Sequence, residues 1–219
     1  YRFKIQEGTN IFDLKKLLLS SKLKLDCPDF NCLNNQLNFT EGTLMPETYF
    51  YNFNSPASNI LIKSQDSFIE YAELLWEKKQ PSNPLKTLDE AIILASIVEK
   101  EAGNNKEKPI IAGVFLNRLN LNMRLQADPT IIYGLLPNFN GNITKLNLQD
   151  SSNRYNTYKI KGLPPTPIAM ISKSSLEAVI LGIPNNYVYF VAKGDGTHYF
   201  STKYADHLKA VRKFQLNKS

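Results

Sequence analysis

The stretch Thr87-Leu88-Asp89-Glu90-Ala91-Ile92-Ile93-Leu94-Ala95-Ser96-Ile97-Val98-Glu99-Lys100-Glu101-Ala102-Gly103 holds the longest apolar run of the chain, then two carboxylates and a glycine. Its start is legible, because Thr87 followed three residues later by Glu90 is a capping-box pattern. Gly103 suits the left-handed position just past a helix C-terminus, so the helix is predicted to end there. Glu99 and Glu101 then fall in the last turn, where the helix dipole opposes negative charge by about 0.3–1 kcal/mol each. At about 100° per residue they lie about 200° apart and cannot serve one pocket side by side. Glu101 shares its face with Val98, Ile97 and Leu94, while Glu99 lies over Ser96, Ala95 and Ile92.

A carboxylate held against apolar side chains at the negative end of a helix has its charged form disfavoured twice, by desolvation and by the dipole. That is how a protein prepares a general acid. The alternative is a partly solvated helix-end residue paired with Lys100 or with a lysine of the next helix. Helix geometry alone leaves both open.

A chain of 219 residues with 42% hydrophobic residues, 12 Phe and 11 Tyr can bury a sizeable core as one large domain or two small ones. The formal charge of +6 and pI near 9.1 favour an anionic partner such as a membrane surface, a nucleic acid or a carboxylate-bearing polymer. The lysines are nevertheless scattered without a basic block, which fits an ordinary solvated surface. Ala91–Val98 is far too short to cross a membrane, and no signal peptide is visible. Tyr1–Ile5 already alternates as a strand with no initiator Met, so an excised fragment is expected, its anchor or leader removed upstream. Cys27 and Cys32 enclose the turn-prone Pro28-Asp29-Phe30-Asn31; a bridge, which would imply an extracytoplasmic compartment, and two free thiols are both open. No metal site is expected, since His198 and His207 are distant from the cysteines and from each other in sequence.

Along the chain, strands are expected at Tyr1–Gln6 and Tyr155–Ile160, with an aromatic extended segment at Thr43–Phe53 interrupted by Pro46. Helices are expected at Ile11–Ser20 behind Asn10, at Gln65–Lys79, from about Lys106 to Leu119, at Ser174–Leu181 and from about Lys203 to Phe214. Asp128-Pro129 marks a turn or a helix start, and Asn138–Asn142 a loop. Gly162-Leu163-Pro164-Pro165-Thr166-Pro167 must be a rigid non-helical loop. Tyr187–Lys193 and Thr197–Ser201 alternate around Gly194-Asp195-Gly196, a hairpin signal. Gln80-Pro81-Ser82-Asn83-Pro84 is the best internal boundary. The fold class is α+β, with mixed helices and short antiparallel strands or hairpins.

Spacing excludes a Gly-x-Ser-x-Gly elbow, a P-loop and a dinucleotide fingerprint. What remains is Met123-Arg124-Leu125-Gln126-Ala127-Asp128-Pro129-Thr130, followed by Ile131-Ile132-Tyr133-Gly134, and Tyr155-Asn156-Thr157-Tyr158 before the proline loop. Amides, hydroxyls and tyrosine faces of this kind line sugar-binding clefts. Gln126, Asp128, Thr130, Tyr133, Tyr155, Asn156 and Tyr158 are therefore candidate substrate-binding residues, set against ordinary loop chemistry.

These blocks, with Glu41-Gly42-Thr43-Leu44-Met45-Pro46-Glu47-Thr48-Tyr49, Ala112-Gly113-Val114-Phe115-Leu116-Asn117-Arg118-Leu119 and Tyr189-Phe190-Val191-Ala192-Lys193-Gly194-Asp195-Gly196-Thr197-His198-Tyr199-Phe200-Ser201, occur in one order along the chain. In that order the sequence resembles the endolytic murein transglycosylases, the YceG-like family. The resemblance implies lytic cleavage of the β-1,4 bond between N-acetylmuramic acid and N-acetylglucosamine in nascent peptidoglycan strands, leaving 1,6-anhydromuramic ends and terminating polymerisation. It puts the catalytic glutamate on Glu101 and implies no cofactor. It divides the chain into a partial LysM-like accessory subdomain, residues 1–86, and a catalytic domain, residues 87–219. It implies glycan strands and membrane-bound peptidoglycan synthases (penicillin-binding proteins) as partners, without nucleic acid. The membrane anchor would lie outside this chain, with the catalytic domain on the outer side of a bacterial inner membrane. Three rivals stay open: a glycan-binding scaffold without activity, a muramidase-type hydrolase using Asp128 or Glu99 as second carboxylate, and a basic nucleic-acid binder.

Overall fold

Helix α3, Leu88–Glu101, forms where the apolar run predicts it, and Ala91–Val98 are all buried. In the computed structural model, which describes residues 1–34, 37–139, 141–182 and 185–216, it is packed by helices α4 (Lys108–Asn120), α5 (Asp128–Gly134) and α7 (Lys173–Ile180). That enclosure explains a helix apolar on every side rather than on one stripe. Burying each of its Ile and Leu side chains contributes about 1.5–3 kcal/mol relative to exposure. Thr87 Oγ1 accepts the Glu90 N–H at 3.2 Å, while Glu90 Oε2 accepts the N–H of Lys86 at 2.6 Å, so the capping box closes one residue further upstream than expected.

The end of α3 differs from expectation. Ala102 leaves the helix with extended backbone, φ −76° and ψ 120°, and Gly103 is not among the left-handed glycines. Gly103 is required by space instead: a Cβ there would sit 2.5 Å from the Gly196 carbonyl oxygen. The glycine lets the hairpin turn close against the helix end. That hairpin joins β3 (Tyr189–Ala192) to β4 (His198–Ser201), pairing Phe190 with Phe200 and Ala192 with His198. Gly194 and Gly196 take left-handed φ in its turn, and Asp195 accepts the Thr197 N–H at 2.9 Å. Helix α8 (Tyr204–Val211) packs on both strands and continues into a wider π-type turn, Arg212–Leu216.

The first third of the chain builds a second hydrophobic cluster around Phe3, Ile5, Leu14, Leu18, Leu44, Tyr49 and Leu61. Strand β1 (Arg2–Lys4) pairs antiparallel with β2 (Thr48–Phe50), placing Phe3 opposite Tyr49. Asn10 caps α1 (Ile11–Ser20) by accepting the Asp13 N–H at 3.0 Å. Cys27 and Cys32 are joined by a disulfide. Helix α2 spans Ala57–Trp76 and starts eight residues before the predicted Gln65. Its first turn is capped from a distance, by Asp26 accepting from the N–H and hydroxyl of Ser58 at 3.0 and 2.7 Å. The two clusters share elements, since Met170 joins the first-third cluster while Met45, Phe68, Ala72 and Leu75 join the one around α3.

The strand expected at Tyr155–Ile160 is absent: the segment is a series of turns. Asn153 Oδ1 accepts the N–H of Tyr155 and Asn156 Oδ1 that of Tyr158, both at 3.0 Å, so asparagine side chains take the place of a strand ladder. A short helix not expected from the sequence, α6 (Lys145–Gln149), precedes them behind a Thr144/Asn147 capping box. The loop expected at Asn138–Asn142 includes Asn140, which lies outside the described residues, as do the last three residues of the 87–219 segment. Helices and two short antiparallel strand pairs make the fold α+β. Among the described residues no helix is long and apolar enough to cross a membrane.

Candidate active site

The C-terminus of α3 opens on a cleft of about 450 Å³ lined by Glu101, by Arg118 of α4, by Gln126 and Asp128 at the start of α5, and by Tyr158. The hairpin contributes Tyr189, Phe190, Ala192 and His198 to the facing wall, and α8 adds Tyr204 and His207. Glu101 is half-buried and its carboxyl makes no hydrogen bond or ion pair among the described residues. Burial pushes its pKa up to about 8; the Asp128 charge adds to the rise, and the Arg118 guanidinium opposes it. A carboxyl group that keeps its proton at neutral pH beside open space can deliver that proton to a bound molecule.

The rest of the cleft is held rigidly. Arg118 is buried, with Nε donating to the Val188 carbonyl at 2.8 Å and a terminal nitrogen to the Leu125 carbonyl at 2.5 Å. Its planar head therefore ties α4 to both walls while keeping a positive charge near Glu101. The Tyr158 hydroxyl donates to Asp128 Oδ1 at 2.7 Å. Gln126 lines the same wall in left-handed backbone, φ 50°, a conformation costing a non-glycine residue about 1–3 kcal/mol. Its N–H is fixed to the Thr157 carbonyl at 3.2 Å.

Of the seven candidate substrate-binding residues, Gln126, Asp128 and Tyr158 meet Glu101 in this cleft. Thr130 is buried, its hydroxyl 2.6 Å from the Ala127 carbonyl and 2.9 Å from Thr157 Oγ1. Asn156 is also buried, donating from its amide to the carbonyls of Asn147, Leu148 and Asp150. Tyr133 and Tyr155 pack on each other, with ring centroids 4.9 Å apart, and the Tyr155 hydroxyl lies 2.9 Å from Thr166 Oγ1. These four line no part of the Glu101 cleft.

Sequence reasoning missed Arg118, Tyr189, His198, Tyr204 and His207. Arg118 had a signal, a lone cation inside an apolar helical run. The chain's two histidines enter a sequence reading only as possible metal ligands, yet both line the cleft.

Glu99 faces the other way. Its carboxylate pairs with Lys108 Nζ at 3.2 Å, with both side chains under one-tenth exposed. It also accepts from Ser172 N–H at 3.0 Å, from Ser172 Oγ at 2.5 Å and from Ser175 Oγ at 2.6 Å. Burial alone would raise its pKa, but these hydrogen bonds and the Lys108 charge outweigh it and hold the group below the usual carboxylate range.

The sequence pattern of the YceG-like family matches residues 1–213. The chain belongs to that family. An endolytic murein transglycosylase of Bacillus subtilis (strain 168) is 34% identical over 211 residues, which cover 91% of this chain and 56% of that protein. One of Streptococcus pneumoniae (strain ATCC BAA-255 / R6) is 31% identical over 176 residues, covering 78% of this chain and 31% of that protein. This YceG-like chain thus spans about half the length of the first of these curated relatives and less of the second. A crystal structure of a YceG-like protein from Listeria monocytogenes superposes with a TM-score of 0.79 at 29% identity, covering 95% of this chain and 75% of that one.

Proposed function

We propose that this chain cuts peptidoglycan glycan strands internally, as a lytic transglycosylase, with Glu101 as both acid and base. The observation that carries the reading is the carboxyl of Glu101 at the edge of an open cleft, without a hydrogen-bond partner among the described residues and with its pKa raised to about 8 by burial. In the first step Glu101 gives its proton to the departing glycosidic oxygen as the bond to muramic C1 breaks. The resulting carboxylate then takes the proton of the muramic C6 hydroxyl, whose oxygen bonds to C1 and closes the 1,6-anhydro ring. No water is consumed, and the proton returns to Glu101. The nearby Arg118 charge stabilises the transient carboxylate, which burial and Asp128 otherwise disfavour. Gln126, Asp128 and Tyr158 are the substrate-binding candidates within reach of this chemistry; Thr130 and Asn156 brace the segments that carry them, through Ala127, Thr157 and the Tyr158 N–H.

One observation favours a second reading. Asp128 lines the same cleft, so it could hold a water and make the enzyme a muramidase-type hydrolase, which needs two carboxyl groups. Glu99 is unsuited to that part, being enclosed by Lys108 and two serines. We further propose residues 1–86 as a partial LysM-like accessory subdomain, membrane-bound peptidoglycan synthases as partners, and action on the outer face of the inner membrane, which the Cys27–Cys32 disulfide supports. Incubation with isolated glycan strands and analysis of the ends separates the readings. Anhydro ends are expected, and Glu101→Gln removes them; new reducing ends would replace this mechanism by hydrolysis, and binding without any product would make the chain a scaffold.

A further inference from the structure

Glu107 occupies the N-cap position of α4, yet its carboxylate caps nothing in that helix. It turns instead to β4, where Oε1 accepts the His198 N–H at 3.0 Å and Oε2 lies 2.8 Å from His198 Nδ1. The neighbouring amides are served by Asn104, whose Oδ1 accepts from Lys106 and Glu107 at 3.0 and 3.2 Å. Two hydrogen bonds from one carboxylate fix both the backbone and the ring of His198, and a carboxylate on Nδ1 holds the ring proton there. Nε2 is then the ring atom left for a ligand. It makes no hydrogen bond among the described residues, and it is not one of the polar atoms sealed from water.

Two apolar side chains stand beside the imidazole ring. Ala192 pairs directly with His198 across the hairpin, so the two side chains share a face. The Phe190 ring stands edge-on to the imidazole, with centroids 5.4 Å apart and an interplanar angle of 85°. All three residues line the Glu101 cleft. A single nitrogen lone pair beside a small apolar wall matches a group with one N–H and one methyl. A sugar hydroxyl could donate to Nε2 but would leave the wall unfilled, whereas an acetamido group satisfies both.

We propose that His198 is a specificity residue that binds an acetamido group of the glycan through Nε2, and that Glu107 is its positioning residue. The inference rests on the glycan-cleaving reading of the cleft. It makes the enzyme selective for N-acetylated strands, so that removal of acetyl groups from a glycan would protect it from cutting.

The test uses the whole chain carrying Glu101→Gln, which binds without turnover, and three probes of equal length: an N-acetylglucosamine oligomer, its N-formyl analogue and its deacetylated form. The N-acetyl oligomer should bind best and the deacetylated one worst, a ladder totalling roughly tenfold for one hydrogen bond and one methyl. His198→Ala should flatten that ladder, measured at a temperature where the variant is shown to be folded, and His198→Gln, whose amide reaches close to the Nε2 position, should restore part of it. The ¹⁵N resonance of His198 Nε2 should move on saturation with the N-acetyl oligomer and stay still with the deacetylated one. An Nε2 resonance unmoved by the N-acetyl oligomer, or an intact ladder in His198→Ala, would overturn the proposal. Failure of the cleavage reading has a different signature: the unmutated chain would release no anhydro or reducing ends while the Nε2 response persisted.

Discussion

Glu99 and Glu101 stand two residues apart on one helix end, yet their surroundings drive their protons in opposite directions. Around Glu99, Lys108, Ser172 and Ser175 answer its charge from α4 and from the start of α7. Glu101 has open space before it and no hydrogen bond among the described residues, and its pKa is pushed up to about 8. Burial disfavours both carboxylates; what differs is compensation. One side of the helix end uses a carboxylate to hold three elements together, and the other leaves a carboxyl group uncommitted, as the proposed acid and base requires.

The largest expected effect comes from removing the uncommitted group. Glu101→Gln should lower strand cleavage by about 10²–10⁴-fold, the usual worth of a positioned acid and base. It should also stabilise the fold, and the sign follows from proton uptake. The folded carboxyl keeps its proton to about pH 8, while the unfolded one loses it near 4.5. The folded state therefore binds more protons between those values, and wild-type stability falls as pH rises through that window. Glutamine does not titrate there, so the variant should gain roughly 1–3 kcal/mol on wild type by pH 9, after allowance for solvent screening in the cleft. Urea melts at pH 5 and pH 9 read this difference; equal stability of the two proteins at both values would show that Glu101 is ordinarily solvated.

The committed side predicts the reverse pattern. Lys108→Met leaves the Glu99 charge buried without its ion partner and should cost about 3–5 kcal/mol. The double variant Glu99→Gln/Lys108→Met removes both charges and should recover much of that loss. The alkaline limb of the activity profile should stay where it is in whatever fraction remains folded, since Lys108 does not act on Glu101. A limb that moved with Lys108 would show that the two carboxyl environments are coupled rather than separate. In wild type, the stability that Glu99 contributes is present above the ordinary carboxylate range and lost as pH falls below it, since its folded pKa is lowered.

Much of this asymmetry was legible in the sequence, and the reason is periodicity. The 200° between the two glutamates, the apolar run and the Thr87 cap are local properties, so α3 and the separation of its faces could be derived. What was not legible depends on partners far away in the chain. Asp26 caps α2 from 32 residues upstream, a partner that no local pattern near Ala57 identifies. Asn153 and Asn156 convert an alternating, strand-like segment into turns through their side chains. His198 lines the cleft with its ring held by Glu107, 91 residues earlier. Asn156 and Thr130 carried the right chemistry for a sugar site, but that chemistry is used within the fold.

Gly103 shows the same limit on a single residue, and a smaller perturbation tests it. A glycine after a helix suggests a left-handed cap, whereas its role is to admit the Gly196 carbonyl. Gly103→Ala should therefore cost about 1–3 kcal/mol through displacement of backbone, as overpacking does. Because the displaced element is the hairpin carrying Phe190 and His198, glycan affinity should fall with it, while a helix-cap role would leave affinity untouched. Parallel melting and binding measurements distinguish the two.

The smallest expected effect is the most informative about mechanism. After burial, the Asp128 charge is the next cause raising the Glu101 pKa, and Asp128 is exposed, so its influence travels partly through water. Asp128→Asn removes that charge, and the alkaline limb of cleavage, where Glu101 loses its proton, should move to lower pH. The shift should be larger at low ionic strength, since salt screens an exposed charge over about 10 Å at 0.1 M. Turnover at acidic pH and saturating glycan should be largely retained, because beyond substrate binding, which would appear in KM, the lytic step uses only the Asp128 field and its hydrogen bond to Tyr158. If Asp128 instead held the attacking water of a hydrolase, the same variant would lose turnover at every pH. A displaced limb with surviving activity leaves Glu101 as the only carboxyl group the chemistry requires; a flat loss assigns the chemistry to the pair.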